Sequence, residues 1–167
     1  MKKLIFIFAV ILVFTLVDVV SYAQQENPHE EFREVEFFSS VVVHIRGDSA
    51  KDLNLYENKL RPYILDQLKE IFSPRLKNPY SLRIVVESTS LADKKRFGNL
   101  TFMIWVMGSG DSMFYYVEAE AGNQLHNFWE RKVVKDDLRE EIPEEIRKLI
   151  REFIQELAKD FFAAKEG

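Results

Sequence analysis

The sequence predicts an α+β fold, in which a mainly antiparallel sheet of four or five strands carries two helices on one face. Three observations support this class. Several segments alternate apolar and polar residues, which is typical of strands, and two segments repeat apolar residues every three or four positions, which is typical of helices. The chain has 167 residues and 47% hydrophobic positions, but only six Gly and five Pro, so it can build a core and is not of the disordered class. The predicted order is β-α-β-β-β-(β)-α, in a single domain over residues 35–164 with a short tail at 165–167.

The first 23 residues have the features of a secretory signal peptide. Two lysines precede an apolar run from Leu4 to Val17, and Ser21-Tyr22-Ala23 supplies the small residues that a signal peptidase requires. The run is shorter than the roughly 20 residues that span a bilayer. We therefore expect cleavage after Ala23 and export to the periplasm or the medium. The alternative is an uncleaved inner-membrane anchor formed by residues 4–23.

The first predicted elements of the folded part are a strand and a helix. Residues 24–34 (QQENPHEEFRE) are polar and acidic, so they predict a flexible tether before the domain. The β-branched and aromatic segment Phe37–Arg46 predicts the first strand. Apolar residues then recur with helical spacing from Leu53 to Ile71, and Pro62 within this series predicts a kink or a late start of the helix.

Three further strands, and a weaker fourth, precede the closing helix. Alternation over Ser81–Ser88 predicts one strand, and Asn99–Met107 is apolar on both sides, as a central strand is. The turn residues Gly108–Asp111 predict a hairpin into a third strand over Met113–Ala121. The segment Phe128–Val134 gives the weaker strand signal.

The closing helix has the clearest pattern. Pro143 stands at the predicted first position of a helix of about 20 residues, and an apolar stripe runs from Ile146 to Phe161. We interpret the acidic run from Asp136 to Glu145 as the solvated entry to this helix. A calcium loop is disfavoured because the run lacks alternating oxygen ligands and a glycine.

Composition and motifs disfavour most catalytic and nucleic-acid-binding classes. Cysteine is absent, which excludes disulfides, thiolate metal sites and a cysteine nucleophile. The formal charge of −4 gives no basic excess for phosphates. His29, His44 and His126 are not spaced as a metal set. We therefore predict a non-enzymatic protein without cofactor, metal or nucleic-acid partner.

The second face of the predicted sheet supplies the candidate binding site. If the helices cover one face, alternation leaves these residues on the other: Val42, His44, Val85, Met103, Trp105, Met107, Phe114 and Tyr116. A sheet face that is left to water should be polar, and this one is not. Three explanations stay open: other segments of the chain cover it, it binds a partner protein, or it forms a wall of a cavity for an apolar ligand such as a lipid.

The layout resembles the small periplasmic α/β domains at the amino end of TolB-type proteins and in CsgG-type curli-secretion proteins. The resemblance rests on SSVVVHI, YENKLRPYILDQLKEIF, YSLRIVVE, LTFMIWVM, SMFYYVEAEA and IPEEIRKLIREFIQELAKDFF. It implies a part in envelope assembly or as an auxiliary of transport machinery, although the lipobox cysteine common in such auxiliaries is missing. We expect an exported protein that binds an envelope protein. The alternative is a periplasmic carrier of a small apolar ligand. In either case we expect contact with a membrane only if the signal segment is not cleaved.

Overall fold

The structure, a computed structural model of the chain, describes residues 28–72, 74–75, 97–108 and 110–166. In chain order its elements are α1 (Pro28–Glu34), β1 (Phe37–Arg46), α2 (Ser49–Asp52), α3 (Glu57–Phe72), β2 (Phe97–Met107), β3 (Ser112–Gly122), β4 (Asn127–Leu138) and α4 (Ile142–Glu166). The strands form one sheet in the order β1-β2-β3-β4. The predicted α+β class is confirmed, with the short helices α1 and α2 in addition to the two long ones.

The sheet is mixed, because one of its three strand pairs is parallel. β1 runs parallel to β2, whereas β2–β3 and β3–β4 are antiparallel. A parallel pair needs a crossover connection, and α3 lies in the connection from β1 to β2. The predicted hairpin joins β2 to β3, and Gly108 and Gly110 there have φ values of 115° and 120°, which suit glycine.

One side of the sheet, which we call the near face, packs against the helices. Its buried members include Phe38, Val41, Val43, Leu100, Phe102, Ile104, Val106, Met113, Tyr115, Val117, Ala119, Ala121 and Trp129. The predicted stripe of α4 is buried from Ile146 to Phe161, and α3 buries Leu60, Ile64 and Leu68. Because α3 contacts β1 and α4 contacts β3 and β4, both long helices lie on this face.

Phe161 of α4 lies where four elements meet. Its ring centroid is 6.0 Å from that of Phe32 in α1, 5.8 Å from Phe38 in β1 and 5.6 Å from Phe72 in α3. Phe32 also meets Phe128 of β4 edge to face at 5.0 Å. Such aromatic pairs contribute about 0.5–1.5 kcal/mol each beyond the area they bury. The cluster therefore holds both long helices and α1 to one side of the sheet.

The prediction of a flexible tether over residues 24–34 was wrong for its second part. Pro28–Glu34 form α1, and Phe32 in this helix is fully buried. Arg33 Nε donates a hydrogen bond of 3.2 Å to the carbonyl oxygen of Ala164 in α4. One buried aromatic side chain docks the segment although most of its residues are polar, which composition alone did not indicate. Residues 24–27 lie outside the described residues.

The chain end also differs from the prediction. The expected tail at 165–167 belongs to α4 as far as Glu166, which is the last described residue. Lys165 Nζ donates a hydrogen bond of 2.7 Å to the carbonyl oxygen of Arg33. This bond ties the last turn of α4 to the end of α1, and burial lowers the pKa of the Lys165 ammonium.

The weaker predicted strand at Phe128–Val134 is present as β4, and it is longer than predicted because it continues to Leu138. It thereby takes in Asp136 and Asp137, so the prediction that these residues belong to the solvated entry to the closing helix was wrong. Asp137 Oδ2 accepts a hydrogen bond of 2.6 Å from Tyr115 Oη. Burial and this bond raise the pKa of Tyr115. The cross-strand partner explains why an acidic residue extends the strand.

A late start of the first long helix at Pro62 is not observed. α3 begins at Glu57, and Pro62 lies within it. Two other predicted segments, the signal peptide at residues 1–23 and the strand Ser81–Ser88, lie outside the described residues.

Replacing Phe32 with Ala tests whether α1 is docked as described. Phe-to-Ala changes in a core cost about 3–5 kcal/mol, so we expect the urea midpoint to fall with little change in slope. A Glu30→Ala variant, changed at an exposed position of the same helix, should stay near the wild type. Equal midpoints for the Phe32→Ala variant and the wild type would contradict the docking of α1.

Candidate protein-binding face

The side of the sheet opposite the near face, which we call the far face, follows from strand alternation and register. Its members are Val42, His44, Arg46, Thr101, Met103, Trp105, Met107, Phe114, Tyr116, Glu118, Glu120, Glu130, Lys132, Val134, Asp136 and Leu138. Successive far-face residues of one strand are two positions, or about 7 Å, apart. Directly opposite residues on paired strands have Cβ atoms about 4.5–5.5 Å apart.

The structure places seven of the eight predicted site residues on this face. The register sets His44 opposite Met103, Trp105 opposite Tyr116, and Met107 opposite Phe114, while Val42 lies at the edge on β1. The eighth, Val85, lies outside the described residues. The seven described residues therefore form neighbouring rows on β1, β2 and β3.

Most of the large side chains on this face are open to solvent, whereas Met103 and Tyr116 are half-buried. Phe114 is 57% exposed, Met107 45% and Trp105 41%, whereas the near-face residues between them on the same strands are buried. We define the apolar patch as Met103, Trp105, Met107, Phe114, Tyr116, Val134 and Leu138. Within the described part of the chain, no segment covers Trp105, Met107 or Phe114.

Two members of the apolar patch were missed by the sequence analysis. Val134 is 67% exposed and lies opposite Tyr116, and Leu138 is 50% exposed and lies opposite Ser112. Both belong to β4, whose second half carries alternating charges. The sequence contained a sign of this, because Lys132, Val134 and Asp136 are spaced two residues apart and therefore lie on the same face of a strand. The strand was, however, predicted to end at Val134.

The other end of the far face is acidic. We define the acidic cluster as Glu118, Glu120 and Glu130. Glu120 lies directly opposite Glu130, and Glu118 lies opposite Lys132. Lys132 Nζ is 2.8 Å from Glu130 Oε1, and Asn127 Nδ2 donates a hydrogen bond of 2.8 Å to Glu120 Oε2. Among the described far-face residues at this end there are three carboxylates and one ammonium group, so this end carries an excess of negative charge.

Two titrating groups mark the boundary between the patch and the cluster. Burial raises the pKa of Tyr116, and its hydrogen bond to the Glu118 carboxylate raises it further. Burial, followed by the neighbouring charges of Glu118 and Glu130, raises the pKa of the Glu120 carboxyl. The far face thus passes from an apolar region to a negatively charged one within a few residues of β3.

Among the described residues, the other candidates for catalysis or metal binding do not form a site. The imidazole ring of His44 has no hydrogen-bond or ion-pair partner among the residues that the structure describes. His126 Nε2 lies 3.3 Å from Glu31 Oε1, which links the β3–β4 turn to α1. In the described ranges no group of three or more His, Asp or Glu side chains is arranged to hold a metal ion. The far face is the feature that carries a functional argument.

No protein-family profile and no curated protein matches this chain. Of the helices in the described residues, none combines the length and the apolar character needed to cross a bilayer. The function is therefore argued from the geometry and chemistry of the far face.

Replacing Glu120 with Gln tests the repulsion within the acidic cluster. Because its pKa is raised on folding, the folded state binds the proton more readily, and stability falls as pH rises through the folded pKa. The amide can still accept the hydrogen bond from Asn127. At about pH 7 we expect the free energy of unfolding to rise by about 0.2–1 kcal/mol, the size of a cross-strand pair effect.

This gain should shrink as the pH falls and be lost below about pH 4, where the carboxyl is protonated in both states. Urea denaturation at both pH values measures it. Glu152→Gln, at an exposed position of α4, is the matched control and should show no gain. A gain of equal size at both pH values would mean that charge repulsion is not its cause.

Proposed function

We propose that this chain is an exported, non-enzymatic protein that binds a partner protein through the apolar patch, as an accessory of envelope assembly or transport. The observation that carries the proposal is the exposure of Trp105, Met107 and Phe114 on a sheet whose opposite face is packed. Aromatic residues and Met are enriched in protein interfaces, and clustered exposed apolar side chains mark interaction sites.

The position of the patch suits tight binding. Trp105 and Phe114 lie on β2 and β3, the two central strands, whose backbones are paired on both sides. A preorganised surface loses little conformational entropy when a partner docks. Full burial of one large apolar side chain contributes about 1.5–3 kcal/mol, so a few such anchors can dominate the binding energy.

A protein partner fits this surface better than a small apolar ligand. Binding pockets for small molecules enclose roughly 70–90% of the ligand surface. The apolar patch instead lies on a pleated face, where Phe114 and Val134 expose more than half of their side chains. The carrier alternative is kept as an outcome of the experiment below.

The location rests on the amino-terminal segment and on the layout. The positive start, apolar run and Ser21-Tyr22-Ala23 site support export, and the resemblance to periplasmic envelope domains supports an accessory role there. Export and the accessory role in the envelope are therefore part of the proposal.

The test replaces Trp105 and Phe114 together with Thr, which keeps good strand propensity. Its control replaces Tyr56 and Leu125 with Thr, since these are 40% and 44% exposed but lie off the far face. After affinity capture from envelope extracts, we expect the far-face variant to lose the partner and the control to keep it. Urea denaturation checks that both variants are folded.

Two results would contradict the proposal. If the far-face variant keeps every protein that the wild type captures, binding occurs elsewhere. If native mass spectrometry of gently purified wild type shows additional bound mass of lipid size, which the far-face variant loses, the carrier alternative replaces the protein-binding function.

A further inference from the structure

The apolar patch and the acidic cluster are arranged in a fixed order along the strands. Glu118 lies two residues beyond the Trp105–Tyr116 pair, and Glu120 lies four residues beyond it. At a rise of about 3.3 Å per residue, the carboxylates begin about 7 Å from the centre of the patch and extend to about 13 Å. A partner that covers Trp105 therefore brings its neighbouring residues close to these carboxylates.

The remaining charges of the far face do not change this polarity. Arg46 lies opposite Trp105, and Asp136 lies opposite Phe114, so one charge of each sign borders the patch. His44 lies between Arg46 and Val42 on β1. The excess of negative charge is confined to the cluster, next to which Lys132 is the one basic residue among the described far-face residues of β3 and β4.

The acidic cluster is not arranged for stability of the isolated chain. Glu120 and Glu130 are directly opposite on β3 and β4, and like charges in such pairs destabilise a sheet. Burial is the larger cause of the raised pKa of the Glu120 carboxyl, and the charges of Glu118 and Glu130 raise it further. A cation supplied from outside would relieve the repulsion, and charge complementarity of this kind selects partners and orients them.

On the basis of the proposed function, we infer that the partner contributes a basic amphipathic segment, with large apolar side chains against the apolar patch and Lys or Arg against the acidic cluster. The spacing of about 7–13 Å corresponds to about two to four residues in an extended segment, or about five to nine in a helix. A second copy of the chain presents the same negative excess, and an anionic lipid surface is repelled by it, so neither fits as well.

The two tryptophans allow a direct test in solution. Trp105 is exposed on the far face, whereas Trp129 is 3% exposed and donates a hydrogen bond of 3.0 Å from Nε1 to Asp160 Oδ2. Labelling with 5-fluorotryptophan therefore gives two ¹⁹F resonances, one at the proposed site and one internal control. The probe is a helix-forming peptide without Trp, with Leu and Phe in one half and Lys in the other half of the same face. A matched peptide carries Glu for each Lys.

The Lys peptide is expected to shift the Trp105 resonance and to leave that of Trp129 in place. Its Kd should rise about tenfold in the variant Glu118→Gln, Glu120→Gln, Glu130→Gln, since three surface ion pairs are lost. The control variant Glu30→Gln, Glu152→Gln, Glu166→Gln, with the same change in net charge at exposed helical positions, should change Kd less than about twofold. Raising salt from about 10 mM to about 150 mM should weaken binding of the Lys peptide, because the screening length falls from about 30 Å to about 8 Å.

The inference and the proposed function fail in different ways. Equal binding of the Lys and Glu peptides, unchanged affinity in the triple far-face variant, or no Trp105 shift with either peptide overturns the basic partner segment. The proposed function then still stands if the Trp105→Thr, Phe114→Thr variant loses its captured partner. A Trp105 shift that depends on protein concentration without peptide, together with a dimer in sedimentation, would assign the face to a second copy. A larger shift with phosphatidylglycerol vesicles than with the Lys peptide would assign it to a membrane.

Discussion

The packing around Phe161 is the interaction on which the arrangement of the molecule depends. Rings from α1, β1 and α3 contact this one side chain of α4, with centroids 5.6–6.0 Å away. An amphipathic helix cannot leave its apolar stripe in water, and here both long helices and α1 bury theirs in the same cluster. The near face and the helices thus form one core, to which each of these elements contributes aromatic rings.

One-sided packing has a direct consequence for the other side of the sheet. Alternation along a strand sends successive side chains to opposite faces, so each buried near-face residue of β2 and β3 has far-face neighbours. In the described part of the chain the helices satisfy the near face and leave Trp105, Met107 and Phe114 open. β3 also carries Glu118 and Glu120, a few residues beyond Phe114. The apolar patch and the acidic cluster are therefore held at a constant distance from each other, as a selective docking surface requires.

Local patterns were enough to predict much of this fold. The apolar stripe of α4 is visible in the sequence because apolar residues recur every three or four positions. The segment Asn99–Met107, which is apolar on both sides, matches the central strand β2. The hairpin at Gly108 and Gly110 follows from turn chemistry. The far-face positions of Trp105 and Tyr116 follow from alternation alone, because a period of two sets the face of every residue in a strand.

Long-range contacts account for what was missed. The docking of α1 depends on Phe32 meeting Phe128 and Phe161, which are remote in sequence. β4 passes its predicted end because Tyr115 on the neighbouring strand supplies a hydrogen bond to Asp137. Neither partner can be recognised from the polar composition of the segments concerned.

The sequence by itself determined the two long helices, the strands β1, β2 and β3, and which of their side chains share a face, because those properties depend on period and on neighbours along the chain. Only the tertiary structure decided that β1 pairs with β2 in parallel, that Glu120 stands opposite Glu130, and that Val134 and Leu138 belong to the apolar patch. These features depend on strand register, which arises from contacts between residues far apart in the chain and leaves no periodic signal within either segment.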